Sequence, residues 1–72
     1  MQVFTLLGGY DYEGDTLVGV FGSEQSVREH VEGQTWSYDS MYFVVSEIGQ
    51  RADPDNGYPV SFTRYNGERV EV

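Results

Sequence analysis

Alternating carboxylates are the residues of this chain whose type and spacing come nearest to a metal site. Two short segments carry an acid at every second position, namely Asp11, Glu13 and Asp15, then Asp53 and Asp55. Calcium prefers carboxylate oxygens, but an EF-hand loop also requires glycine at its sixth position and an acid at its twelfth. Loops counted from either segment lack both. The carboxylates are therefore interpreted as solvated acidic turns, and no metal site is predicted.

Catalytic patterns find little support in the remaining residues. Without cysteine, a nucleophile and base pair would need a serine beside His30 and an acid to orient it. His30 stands next to the apolar side of a predicted helix, where a structural position is expected. The glycines at Gly8-Gly9 and Gly19 match no phosphate-binding fingerprint. The sequence therefore predicts neither an enzyme nor a cofactor.

Net charge separates the remaining binding classes. Twelve carboxylates stand against only four arginines and no lysine in 72 residues, which gives a formal charge of −8. Such a field repels phosphate and attracts basic protein surfaces. Nucleic-acid-binding sheets combine aromatic rings with lysine and arginine that hold the backbone, and this chain has few of these cations. A basic protein is the expected partner, and direct nucleic-acid binding is not expected.

Two sets of candidate contact residues follow from this composition. The predicted contacts with a basic partner are the acids of the turns and the last hairpin, Asp11, Glu13, Asp15, Asp53, Asp55, Glu68 and Glu71. The alternative is a small-molecule or nucleotide sponge or sensor, in which aromatic rings hold a base and arginine holds its phosphate. Its candidate residues are Tyr10, Tyr12, Trp36, Arg51, Arg64 and Arg69.

The elements that must position these residues follow the coarse order ββαββ, in which the last β stands for a closing hairpin of two strands. Strands are predicted where β-branched and aromatic residues cluster, at 3–7, 16–21, 41–48, 58–65 and 68–72. A loop rich in turn residues is predicted over 50–57, and Asn66-Gly67 is a strong hairpin signal. The pattern predicts one α+β domain over residues 1–72, a small, mostly antiparallel sheet with one short helix.

The short helix is predicted over residues 24–32. Ser23 is a suitable N-cap, and Gly33 stands where a helix commonly ends. Val27 and Val31 form a narrow apolar stripe. A helix this short is marginal alone, so a sheet beneath it is expected.

Apolar residues are predicted on both faces of the sheet, although one helix covers only one face. In the third strand one face holds Met41, Phe43 and Val45, and the other holds Tyr42, Val44 and Ile48. Either the sheet curls toward a small barrel, or its second face meets another protein, as in a homodimeric structural module. Because the chain has no cysteine and a small core, self-association or a partner would add stability.

Targeting and membrane signals are not found in the sequence. The first residues have no basic segment before the apolar run, and no apolar run approaches the roughly 20 residues of a membrane helix. A cytoplasmic protein is expected, located in the host cytoplasm if it is phage-encoded.

Two motifs carry a resemblance. Tyr12-Glu13-Gly14 is an acidic turn, and Gly19-Val20-Phe21-Gly22-Ser23-Glu24 joins a strand end to a capped helix. Through these motifs, residues 3 to 48 resemble small uncharacterised phage and bacterial β-β-α-β proteins, a family with no established activity. The resemblance implies that fold and a phage or mobile-element origin, and the hairpin at 58–72 lies beyond it.

Charge, size and this resemblance together favour a non-enzymatic phage protein with an anti-defence function. Such an inhibitor, similar to anti-CRISPR proteins, would occupy a basic nucleic-acid-binding surface of a host protein. Its binding would weaken with salt.

Overall fold

Two small sheets and one helix make up the structure, a computed structural model that describes residues 1–49 and 57–72. The elements, in chain order, are β1 (Gln2–Tyr10), β2 (Gly14–Phe21), α1 (Glu24–Glu32), β3 (Thr35–Trp36), β4 (Ser40–Glu47), β5 (Tyr58–Pro59), β6 (Phe62–Arg64) and β7 (Arg69–Val70). The predicted loop at 50–57 lies outside the described residues except for Gly57, and so do Arg51, Asp53 and Asp55.

The first sheet has the strand order β2-β1-β4-β5, and all its pairings are antiparallel. The second sheet has the order β3-β6-β7, in which β3 runs parallel to β6 and β7 runs antiparallel to it. The predicted α+β class, with a mostly antiparallel sheet and one helix, is confirmed. In the described part of the chain the first sheet ends at β2 and β5 and is not closed into a barrel.

The first hairpin is longer than its apolar runs predict. Strand β1 continues past Gly8-Gly9 to Tyr10, and β2 already begins at Gly14. Gly8 pairs with Thr16 on one side and with Met41 on the other. The pairing shifts between Leu6 and Leu7, a bulge that increases the local twist of the hairpin.

The helix begins and ends where its caps predict. The Ser23 hydroxyl accepts a hydrogen bond of 3.1 Å from the backbone N–H of Ser26, which satisfies one free donor of the first turn. Val27 and Val31 are fully buried, as predicted. After the helix, the Trp36 indole N–H donates to the carbonyl of Val31 at 3.0 Å, so the following segment is held against the helix end.

The core lies between the helix, one face of the first sheet and the second sheet. Its buried members are all apolar, namely Leu6, Val27, Val31, Met41, Phe43, Val60 and Phe62. The two predicted faces of the third strand are confirmed by the register, since Leu6 pairs with Phe43 and Leu7 with Tyr42. Val44 is buried too, but it lies on the face opposite this core.

The predicted order ββαββ is too simple for the second half of the chain. Seven strands are found in the described residues, and the single strand predicted at 58–65 is divided between the two sheets. Pro59 has no N–H for a continuous ladder, and after it the buried Val60 donates its N–H to the carbonyl of Met41. The chain therefore leaves the first sheet at this point and enters the second as β6.

Candidate partner-binding surface

Three strands of the first sheet begin or end at one end of the molecule. Gly9, near the end of β1, pairs with Asp15 of β2 and with Ser40 of β4. The backbone N–H of Asp11 donates to the Asp39 carboxylate at 3.0 Å, and the N–H of Asp39 donates to the carbonyl of Gly9 at 2.9 Å. These bonds hold the acidic β1–β2 turn against the segment that precedes β4.

The turn between β6 and β7 lies at the same end. The Arg64 guanidinium is 3.6 Å from the Asp39 carboxylate. The backbone N–H of Tyr65 donates to the carbonyl of Trp36, and that of Arg64 donates to the carbonyl of Glu68. We define the acidic end as the five acidic residues that lie in or beside these two turns, where the contacts above place their backbones at one end of the molecule: Asp11, Glu13, Asp15, Asp39 and Glu68.

The described cations pair mostly with carboxylates elsewhere. The ion pairs are Arg28–Glu24, Arg69–Glu32, Arg69–Glu71, Arg64–Asp39 and the N-terminus of Met1 with Glu47. Within residues 1–49 and 57–72, the carboxylates without a cation partner are Asp11, Glu13, Asp15, Glu29 and Glu68. All of them except Glu29 belong to the acidic end, so uncompensated negative charge is concentrated there.

The Asp15 carboxylate is held in a fixed position. The Tyr42 hydroxyl donates to it at 2.5 Å. A Cβ atom at Gly9 would lie 2.6 Å from its other oxygen, so only glycine leaves room for the carboxylate over β1. Asp11 and Glu13, in contrast, project from the exposed turn.

The predicted partner-binding acids are thus only partly brought together. Asp11, Glu13, Asp15 and Glu68 lie at the acidic end, whereas Glu71 accepts a hydrogen bond from Arg69 and does not join them. Asp53 and Asp55 lie outside the described residues. Asp39 was missed by sequence reasoning because only the antiparallel pairing of β1 with β4 brings it beside Asp11.

The alternative ligand-binding residues are divided. Tyr10 and Trp36 are joined through the ring of Tyr38, with ring centres 5.2 and 6.2 Å apart, and Arg64 pairs with Trp36 in the second sheet. The other members are apart from this group: Tyr12 is exposed in the β1–β2 turn, Arg69 is bound to glutamates, and Arg51 is outside the described residues.

The Arg69 cluster joins the helix to the last strand. Its guanidinium makes a bidentate contact with Glu32, at 2.7 and 3.0 Å, and also binds Glu71 and the Thr63 hydroxyl. The hydrogen bond from Arg69 lowers the pKa of Glu32 below its ordinary value. The same bond, with that to Glu71, raises the pKa of Arg69. Both groups therefore stay charged at neutral pH and serve a structural contact.

His30 lies in a row of aromatic rings. It contacts Phe21 at 5.1 Å and Trp36 at 5.5 Å between ring centres. Among the described residues, no group of three or more histidine or acidic side chains could hold a metal ion. The described helix is also too short and too polar to cross a membrane.

No family model, curated protein or solved structure matches this chain. The resemblance of residues 3 to 48 to phage and bacterial proteins therefore stays a prediction.

Proposed function

We propose that this protein binds a basic nucleic-acid-binding protein through its acidic end and so keeps nucleic acid away from that surface. The observation that carries the proposal is the distribution of charge. In the described residues the cations form ion pairs with other carboxylates or with Asp39. Asp11, Glu13, Asp15 and Glu68, at one end, have no cation partner there. An unbalanced field of this kind steers basic surfaces toward it.

The acidic end is also well ordered for binding. Asp15 is fixed by Tyr42, and the β1–β2 turn is tied to Asp39 through the backbone of Asp11. Groups that are already positioned lose little conformational entropy when a partner binds. The fixed Asp15 carboxylate and the tied backbone of the turn therefore favour binding, while Asp11 and Glu13 project toward a partner.

The biological role that we propose for this binding is inhibition of a host defence protein by a phage-encoded, non-enzymatic factor of the anti-CRISPR kind. Size, net charge and the resemblance of residues 3 to 48 support this role. A nucleotide sponge is less favoured, because Arg64 and Arg69 are both engaged by carboxylates and do not point to one site.

Capture from a lysate fraction tests the proposal. The tagged protein is mixed with the heparin-binding fraction of a bacterial lysate, which is rich in nucleic-acid-binding proteins. Captured proteins are measured as NaCl rises from about 0.05 to 0.3 M, a range in which screening of charge becomes strong. Duplex DNA is added as a competitor, and it is expected to bind the captured basic proteins and release them from the tagged protein.

Two triple variants with equal changes in net charge separate the acidic end from charge in general. Asp11→Asn/Glu13→Gln/Asp15→Asn is expected to weaken capture about tenfold or more, because it removes the charges at the contact. Glu24→Gln/Glu29→Gln/Glu47→Gln, away from that end, is the control and is expected to retain capture. Equal capture by both variants would show that the acidic end is not the contact.

A further inference from the structure

The outer edge of β2 is a free strand edge beside the acidic end. Strand β2 is the last strand of the first sheet, so its side away from β1 has no partner strand among the described residues. Asp15, Thr16 and Leu17 are all exposed there. An unpaired edge of this kind offers a row of backbone N–H and C=O groups to an added strand.

Strand alternation shows which backbone groups face this free edge. The carbonyl of Gly9 accepts a hydrogen bond from the segment that precedes β4, so Gly9 faces that strand and Gly8 faces β2. Thr16 is the partner of Gly8 and faces back to β1. The N–H and C=O groups of Asp15 and Leu17, on either side of Thr16, therefore point outward.

A bulge sets the length of the regular edge. Leu7 pairs with Leu17 but Leu6 pairs with Gly19, so Val18 is an extra residue in β2. Bulges twist an edge and interrupt pairing. The regular free edge is therefore the first four residues of β2, which include neither the proline nor the lysine that commonly block an edge.

The chain between Gly49 and Gly57 is too short to cover this edge. Leu17 is level with Tyr42, seven residues before Gly49. A strand on the outer side of Leu17 would lie three strand spacings across and seven residues along the sheet from Gly49, about 27 Å away, and about 20 Å from Gly57. The eight Cα–Cα steps between the two glycines span at most about 29 Å. No covalent path between them can therefore pair with the free edge.

Charge indicates what kind of strand fits the free edge. Strand β2 contains Asp15 and no cation, and the exposed acids Asp11 and Glu13 precede it in the turn. The Asp15 carboxylate is held over β1 by the Tyr42 hydroxyl, so it does not cover its own outward N–H. Opposite charges on directly paired residues stabilise a sheet, and like charges destabilise it. A basic strand fits this edge, whereas the β2 of a second copy would bring no cation to it.

We propose that an extended basic segment of the partner adds to the first sheet as a fifth strand, antiparallel to β2 like the other strands of that sheet. The inference rests on the proposed function for the charge of the partner, and it adds the mode of binding. Residues directly opposite each other in such a pair exchange hydrogen bonds and have their side chains on the same face. The added strand thus carries a basic residue opposite Asp15 and an apolar residue opposite Leu17, which is 61% exposed.

Two isomeric peptides test this geometry. Each is a capped hexapeptide with the order valine, threonine, arginine, threonine, arginine, threonine. One is N-methylated on the valine and both arginines, whose N–H groups would face β2, and the other on the three threonines, whose N–H groups would face away. The two isomers have the same charge and side chains and differ only in which strand edge is blocked.

Binding is measured by following the backbone amide signals of the ¹⁵N-labelled protein during titration. The unmethylated and the threonine-methylated peptides are expected to shift the signals of Asp15 and Leu17. The isomer methylated on valine and arginine is expected to bind at least about tenfold more weakly, because it cannot donate to the free edge.

Two variants of Leu17 test the same contact from the protein side. Leu17→Pro removes the outward N–H and leaves the side of β2 that pairs with β1, so it is expected to lose binding of the unmethylated peptide. Leu17→Ala keeps the N–H, and it is the control that should retain binding. Circular dichroism checks that both variants fold, and the isomeric peptides test the inference on the wild type in either case.

Three outcomes would overturn the inference. One is equal binding of the two isomers, which would leave charge alone as the basis of the contact at the acidic end. The second is an unmethylated peptide that does not shift Asp15 and Leu17. The third is a second copy on the edge, seen as a concentration-dependent shift of these two signals without peptide. Isomer-dependent binding together with lysate capture that the acidic triple variant leaves unchanged would instead support the added strand and refute the acidic end as the contact.

Discussion

At the residue scale, the space above Gly8 decides how β1 can pack. The strand is buried at this point, and the ring of Tyr38 lies directly over it. A Cβ atom at Gly8 would be 2.5 Å from the ring carbons nearest to the tyrosine backbone, where the side chain has little freedom to move. The glycine thus allows Tyr38 to contact Tyr10 and Trp36 in the row of rings.

Gly8→Ala is therefore expected to destabilise the protein by about 1 to 3 kcal/mol, the usual cost of overpacking a filled site. Urea unfolding followed by tryptophan fluorescence measures the change, because Trp36 lies next to Tyr38. Gly22→Ala is the control, since nothing lies within 4 Å of its Cβ position. A loss of stability in the control equal to that of Gly8→Ala would contradict the role of the ring.

The contact between Glu32 and Arg69 gives stability a defined dependence on pH. Because the folded pKa of Glu32 is lowered, its contribution is fully present above about pH 4.3, the ordinary pKa of glutamate, and is lost as the pH falls through the folded value. Glu32→Gln should lower the thermal midpoint at pH 7, and this difference from the wild type should shrink only as the pH falls below about 4.3. Glu29→Gln, on the same helix but without a described cation partner, is the control and should show no such gap.

At the element scale, the helix shows how far local chemistry determines structure. Its N-cap, its two buried valines and its end at Gly33 are all set by residues within a few positions of one another, and these features were predicted correctly. Ser23→Ala should cost about 1 kcal/mol, the usual value of an N-cap. Ser26→Ala is the control, because it keeps the N–H that the cap binds, and it should change stability by less than half as much in urea unfolding.

In the second half of the chain, the hairpin could be predicted from local sequence, whereas the short parallel strand could not. The β6–β7 hairpin was predicted from Asn66-Gly67, and Gly67 has a left-handed φ of 90°. Asn66 does not have a positive φ, so the turn is not the two-residue type I′ turn that the Asn-Gly pair predicts. The two-residue strand β3 was not predicted, because so short a segment has no periodicity. Its parallel pairing with β6 depends on contacts between residues far apart in sequence, such as Thr35 with Thr63.

The candidate surface was predictable to a similar extent. Turn-forming acids such as Asp11 and Glu13 are visible in the sequence because turns have their own residue preferences. The addition of Asp39 and the separation of Glu71 depend on strand pairing and on an ion pair with Arg69. The sign of the charge was therefore readable from composition, but its concentration at one end was not.

At the scale of the whole molecule, the net charge of −8 acts on stability as well as on binding. The folded chain measures 37 × 26 × 17 Å. At an ionic strength of about 0.01 M the Debye length is about 30 Å, so nearly all of its charges interact, whereas at about 0.15 M it is about 8 Å and only neighbours do. Repulsion within the compact state should therefore be strongest in dilute buffer.

We expect the free energy of unfolding in urea to rise by roughly 1 to 2 kcal/mol as NaCl increases from about 0.01 to 0.3 M. The reason is that each pair of like charges about 15 Å apart in water repels by about 0.3 kcal/mol, and salt screens this repulsion. Urea is used because guanidinium chloride would itself screen the charges. Removing acids where they are uncompensated, in Asp11→Asn/Glu13→Gln/Asp15→Asn, should flatten this dependence. The triple variant Glu24→Gln/Glu32→Gln/Glu47→Gln removes acids that have cation partners, and it should steepen it. A stability that falls with salt in the wild type would mean that the ion pairs outweigh the repulsion.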